Sequence, residues 1–167
     1  MARADLQIRT LRDEDREMQY QVVRRSWQSA YQHLIPQEDF ERLFSGQITQ
    51  KVSWNTQNTR PIVTLAAEAG GTLVGCASLS SHPDGSVELT NFYVDPAYQR
   101  LGVGTKLWES CLSELKKRQI TSLVLWVIEG TPAVNFYLHR GCTLLSRGTY
   151  QLGEQILPAL QLQYRLH

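Results

Sequence analysis

The chain has 167 residues, 42% of them hydrophobic and 20% charged, and 17 Lys and Arg against 16 Asp and Glu leave a net charge of +1. These values fit one globular domain spanning 1–167 and exclude a disordered chain, while the near-neutral balance argues against a nucleic-acid partner. No run approaches the ~20 apolar residues of a membrane span. Met1 to Asp5 has no apolar secretory core, and Cys76, Cys111 and Cys142 stand at neither metal-ligand nor disulfide-framework spacing. The expectation is a reduced, cytoplasmic protein without a metal.

Leu6–Arg9 alternates apolar with polar residues and predicts a short strand. Asp13, Glu14 and Asp15 suit the positive end of a helix, and Met18, Val22, Val23, Trp27, Ala30, Tyr31 and Leu34 follow at helical spacing. Pro36 interrupts, and a second helix is expected from Gln37 to Phe44. Residues 46–61 lack a clear period, and a helical turn is expected around Val52 and Trp54.

From Pro61 the period changes. Ile62–Glu68, Thr72–Ser80 and Val87–Val94 read as three strands, joined by turns at Gly70-Gly71 and at His82-Pro83-Asp84-Gly85. Leu101–Lys117 predicts a helix with Val103, Leu107, Cys111 and Leu115 on one face. Ser122–Ile128 is almost continuously apolar, as a strand covered on both faces must be. Thr131-Pro132 reads as an N-cap followed by proline, opening a short helix that stops at Gly141. Cys142–Leu152 and Leu157–Leu166 give two last strands. A meander feeding a βαβ unit implies a mixed α/β sheet.

The most informative stretch runs from Asn91 to Thr105. A strand ends at Val94, and Gln99-Arg-Leu-Gly-Val-Gly104 leads into a helix. A helix N-terminus offers unpaired N–H groups and partial positive charge. Gly102 and Gly104 let an anion approach closely, Arg100 adds a cation and Thr105 a hydroxyl. The pattern suits a pyrophosphate; a glycine-rich helix start can equally be a packing solution. It is neither a Walker loop nor a dinucleotide fingerprint.

Gln-x-x-Gly-x-Gly after Tyr-Val-x-Pro resembles the acetyl-CoA signature of the GNAT superfamily of N-acetyltransferases. Val127–Gly141, with Phe136-Tyr137 followed by Gly141, resembles the second motif of that family, and the element order from Leu6 to Leu166 matches. Two departures stand out. The segment Gly130-Thr131-Pro132-Ala133 replaces the usual asparagine-bearing loop and is one residue shorter, and Cys142 stands where phenylalanine is usual, as a packing swap rather than a nucleophile.

The resemblance implies a mixed, mostly antiparallel sheet with a splayed parallel strand pair and flanking helices. It implies acetyl-CoA as co-substrate, held by backbone groups of Phe92, Tyr93 and Val94 and by the stretch Gln99, Arg100, Leu101, Gly102, Val103, Gly104 and Thr105, with Ala133 beside it. It implies direct transfer of acetyl to a primary amine. Glu88 matches the general-base position of several members; six residues before Val94, it is expected to share a strand face with Val94 and Thr90. An amine with a lysine-like pKa near ~10.4 must lose a proton before it attacks. The plain alternative is a solvent-facing carboxylate. Tyr137 matches the tyrosine near the CoA sulfur, where a hydroxyl can protonate the leaving thiolate.

His33, His82, His139 and His167 are scattered, with His139 expected at the surface near the cofactor edge. Trp27, Tyr31 and Trp54 could line an acceptor pocket, although the spacing of the first two is more simply a core face. Arg24-Arg25 reads as a solvated charge pair. A small-molecule acceptor is favoured over a protein, and the assembly is a monomer or a homodimer through the C-terminal strands. The rival readings are an acyltransferase using another acyl-CoA and a non-catalytic CoA-binding sensor.

Overall fold

The computed structural model describes residues 5–47 and 50–167. In chain order the described elements are β1 (Leu6–Thr10), α1 (Arg16–Tyr31), α2 (Gln37–Phe44), β2 (Gln50–Val52), β3 (Arg60–Ala69), β4 (Thr72–Ser81), β5 (Val87–Val94), α3 (Val103–Lys117), β6 (Ser122–Ile128), α4 (Pro132–His139), β7 (Thr143–Leu152) and β8 (Gln155–Arg165). The strands form one sheet in the order β1-β3-β4-β5-β6-β8-β7-β2. Every neighbouring pair is antiparallel except β5 and β6.

Periodicity decides which face each helix covers. On one face Leu107, Cys111 and Leu115 of α3 and Tyr137 of α4 pack with Leu65, Leu79, Leu89, Leu123 and Leu125. On the other, Trp27 of α1 and Phe40 of α2 pack with Ile128, Leu152 and Leu157, and Val22 packs with Ala66 and Leu73. The central run of β6 is apolar throughout because Leu123, Leu125 and Val127 serve the first core while Ile128 serves the second.

The feature that makes a site is where pairing stops. β5 and β6 are in register only at Glu88↔Val124 and Leu89↔Leu125. Beyond Leu89 each strand keeps its outer partner, β5 as far as Val94↔Gly75 and β6 as far as Ile128↔Ala159. The two strands therefore splay, and the inner edge of β5 carries N–H and C=O groups that no described strand pairs. Such groups need a partner, from water or a ligand.

A β-bulge sharpens the divergence. The β4–β5 register steps from Ser78↔Asn91 to Leu79↔Leu89, so Thr90 is an extra residue. This corrects the expected alternation. Glu88 does share its face with Thr90, and the Ser80 and Thr90 hydroxyls lie 3.3 Å apart on that side. Val94, however, packs with Phe92 against the α3 core while Tyr93 faces the α1 side. The bulge reverses the strand parity between Glu88 and Val94.

Four other expectations change. Val52 and Trp54 belong to no helical turn: Gln50–Val52 is an edge strand on β7, with Lys51 opposite Gln151 (residues 48–49 of that stretch lie outside the described residues). Met18 is 39% exposed rather than on the buried face of α1, and Leu34 lies beyond the end of that helix. Helix α3 begins at Val103 and not at Leu101, because Arg100 and Gly102 take φ values of 63° and 86°, turning the chain before it can coil. Arg24 and Arg25 are not simply solvated: Arg24 pairs with Glu41 at 3.4 Å and Arg25 with Asp95 at 2.6 Å.

Candidate active site

The open edge of β5 faces the start of α3. Together with the start of α4 they border a cleft of about 590 Å³, lined by Phe92, Tyr93 and Val94 on one side and by Gln99, Arg100, Gly102, Gly104 and Thr105 on the other. The first intrahelical bond of α3 runs from Lys106 N–H to Gly102 C=O at 3.1 Å. The N–H groups of Val103, Gly104 and Thr105 thus have no acceptor within the helix. Gly102 holds a φ of 86° with open space around it, whereas a Cβ on Gly104 would stand 3.3 Å from Cε2 of Phe136. One glycine serves the turn and the other the close approach of α4.

The sequence-predicted residues converge here, with differences in what each exposes. Leu101 is 59% exposed and Val103 3%, and neither side chain lines the cleft, so they can contribute only backbone. The Gln99 amide donates to Val94 C=O at 3.1 Å. Ala133 and His139 line the cleft beside Tyr137. Thr131 occupies the N-cap position of α4, but its hydroxyl donates to Ile128 C=O at 2.8 Å rather than capping an α4 N–H.

Sequence reasoning missed Arg140. Its guanidinium lies 3.8 Å from the centroid of Phe136, donates to the Thr105 hydroxyl and borders the cleft, so it adds positive charge beside the α3 terminus. It also missed the staple under the cradle. Asp95 accepts from Ala97 N–H at 3.0 Å and from Arg25, and Ser26 donates to Val94 C=O at 2.9 Å, tying α1 to the end of β5.

A second cavity of about 510 Å³ opens on the α1 side of the splay and shares Phe92, Tyr93, Ala133 and Tyr137 with the first. Glu88 lines it and is only 8% exposed, so it is no solvent-facing carboxylate. Burial raises its pKa, and His82, whose Nε2 lies 3.0 Å from Oε1, offsets part of that rise. No histidine spacing in the sequence pointed to this pair; the turn before β5 folds His82 back over the strand. Tyr137 is 6% exposed, and among the described residues none hydrogen-bonds its hydroxyl. Burial pushes that phenol upward, as it does those of Tyr31, Tyr93 and Tyr150, so the tyrosines around the splay stay protonated.

Trp27 and Tyr31 combine both sequence readings: they pack in the α1–α2 core and line both cavities, while Trp54 lines the second. Trp27 Nε1–H donates to the Tyr93 hydroxyl at 3.1 Å, fixing both rings at the junction. Chemically, the arrangement can hold an extended chain along the edge of β5, with an anionic group at α3 and Arg140. A second molecule can meet that chain at Tyr137, within the cavity that Glu88 lines.

The fold is shared with several solved acetyltransferases. A GCN5-related N-acetyltransferase from Rhodopseudomonas palustris is 20% identical, covers 99% of both chains and gives a TM-score of 0.73. The PaiA N-acetyltransferase of Thermoplasma acidophilum, solved with coenzyme A, is 21% identical over 93% of this chain and 98% of its own, with a TM-score of 0.67. The ribosomal-protein-S18-alanine N-acetyltransferase of Escherichia coli is 22% identical over 96% and 94%, also at 0.67. The profile of the acetyltransferase (GNAT) family matches residues 20–142, a span holding the open β5 edge, the α3 cradle and Tyr137, and the chain belongs to that family.

Proposed function

We propose that the protein is an N-acetyltransferase that moves acetyl from acetyl-CoA to a primary amine by direct attack in a ternary complex. The observation that carries this reading is the junction of two cavities at the unpaired edge of β5, one ending at a helix N-terminus and the other lined by a buried carboxylate.

The residues present fit a CoA ester. The inner-edge N–H and C=O groups of Phe92 and the N–H of Val94 can take a pantetheine amide as a further strand would be taken, while the backbone of Tyr93 between them pairs with β4. The free amides of Val103, Gly104 and Thr105, with Arg100 and Arg140, suit a pyrophosphate. Acetyl-CoA supplies the activated acetyl thioester. A β5 N–H at the splay polarises the acetyl carbonyl. Glu88 accepts the proton of the incoming ammonium, directly or through water, and its raised pKa brings its basicity closer to that of the amine. Tyr137, held neutral by burial, donates a hydrogen bond to the departing sulfur. A buried carboxylate and a buried phenol lining one cavity favour an enzyme over a CoA-binding sensor.

The test is calorimetric titration with acetyl-CoA followed by thiol release across a panel of amines. Micromolar binding and amine-dependent release are expected; binding with no release from any amine would leave a sensor, and no binding would remove the cofactor reading.

A further inference from the structure

The cavity on the α1 side has a composition that selects its ligand. Among the described residues, Glu88 is the one charged side chain that lines it. Around it stand Trp27, Tyr31, Trp54, Trp126 and Tyr150. Trp54 and Trp126 are stacked face to face at 4.3 Å between centroids and 7° between planes, so each covers one face of the other and the pair borders the cavity as a two-ring wall. That wall is built into the sheet. At Gly148 a Cβ would lie 2.9 Å from Trp126 Cζ3 and would also collide with Ser53 Oγ. The missing side chain therefore lets the Trp126 ring lie across the strands. The Ser53 N–H donates to Thr149 C=O at 3.0 Å, and the Ser53 hydroxyl accepts from Thr149 N–H at 2.7 Å, which pins Trp54 above Trp126. Elsewhere in the lining, Trp27 meets Tyr31 edge-on at 4.8 Å and Tyr150 at a tilt at 5.7 Å.

We propose that this cavity takes a small primary monoamine with a planar aromatic body, its ammonium toward Glu88 and its ring against the Trp54–Trp126 wall. A polyamine brings two or more cations, and among the described lining residues only Glu88 carries a negative charge to offset them. An α-amino acid, or a short peptide with a free C-terminus, brings a carboxylate that no lining Lys or Arg would meet, and an unpaired charge in such a place is costly. An aromatic ring gains from contact area and from edge-to-face or offset packing against the rings that line the cavity, and an ammonium gains further from the faces of the rings around it.

The assignment presupposes the acetyl-transfer function proposed above, and the experiment separates the two. The protein saturated with acetyl-CoA is offered 2-phenylethylamine, tryptamine, spermidine and L-alanine. Acetylated product is measured by mass, and binding of each amine to the CoA-saturated protein by calorimetry. The aromatic monoamines should bind, and their kcat/KM should exceed that of spermidine and L-alanine by about tenfold or more. The Trp54→Ala variant should weaken 2-phenylethylamine binding about five- to tenfold while acetyl-CoA binds as before. Trp54→Phe, which keeps a ring, should recover most of that binding. Aromatic amines that bind but are not acetylated would sustain the cavity assignment and overturn the acetyl-transfer function. Spermidine or L-alanine acetylated as well as the aromatic amines would overturn the assignment and leave that function standing. No binding by either aromatic amine, or binding indifferent to Trp54→Ala, would overturn it too.

Discussion

Glu88, His82 and Tyr137 each make a separable prediction. Glu88→Gln keeps shape and removes the proposed base, so turnover at neutral pH should fall by about 10²–10⁴ and recover in part as rising pH neutralises the amine. A variant with the wild-type pH–rate profile would make Glu88 a structural carboxylate. His82 lowers the Glu88 pKa against the rise that burial causes. His82→Asn should therefore raise that pKa further and move the acid limb of kcat/KM to higher pH, because Glu88 must be ionised to accept a proton. An acid limb that stays in place would show that the pair has no influence on the base. For Tyr137 the upward-shifted phenol makes full proton transfer unfavourable against a thiolate with a cysteine-like pKa of ~8.5, so the role proposed for it is hydrogen-bond donation at the sulfur. Tyr137→Phe should lower kcat and kcat/KM together with the dissociation constant of acetyl-CoA unchanged. A raised dissociation constant with kcat intact would instead make the hydroxyl an anchor for CoA.

At the scale of elements, the two cavities depend on close approaches that glycine permits. Gly104 is where α3 meets Phe136 of α4, and Phe136 in turn supports Arg140. Gly104→Val should push that ring away, disturb the guanidinium beside the α3 amides and weaken acetyl-CoA binding about tenfold or more, about 1.4 kcal/mol, in a variant with a native circular dichroism spectrum. Unchanged affinity would detach the α3–α4 contact from cofactor binding. Gly148 plays the corresponding part for the second cavity, the proposed acceptor side. A methyl group there meets Trp126 and Ser53, so Gly148→Ala should cost about 1–3 kcal/mol in urea unfolding and raise KM for the amine with acetyl-CoA affinity preserved.

Across the whole molecule, a part-buried ion-pair triad ties the start of α1 to the sheet, alongside the apolar contacts of that helix. Arg9 on β1 donates to both oxygens of Asp15, at 2.7 and 2.9 Å, and to Glu68 on β3 at 2.7 Å. Those hydrogen bonds from Arg9, with the backbone N–H of Arg12, hold the Asp15 pKa at about 2. The unfolded chain would titrate it near ~3.9. The native state thus binds that proton less tightly, and the contribution is complete above about pH 3.9 and lost as pH falls through about 2. Asp15→Asn should shrink the fall in the urea midpoint between pH 5 and pH 2; an identical fall in both proteins would show that the triad has no share in acid stability.

The sequence by itself determined most of the elements and brought together the residues proposed to hold the cofactor. Helix α2 and strands β5 and β6 stand at their predicted bounds because strong periods and turn residues delimit them. The α3 cradle was legible for a related reason: a helix start, its glycines and its flanking strand are neighbours along the chain, so the chemistry is local. What only the tertiary structure decided depends on residues far apart in sequence. Strand β2 exists because β7 offers an edge to a segment with no period of its own. The bulge at Thr90, which turns Val94 away from the Glu88 face, is a mismatch between two strands and leaves no mark on either alone. The His82–Glu88 pair, the Arg25–Asp95 staple and the Trp54–Trp126 wall are likewise products of pairing and packing. A sequence pattern records which face a residue shows, and the sheet alone decides what that face meets.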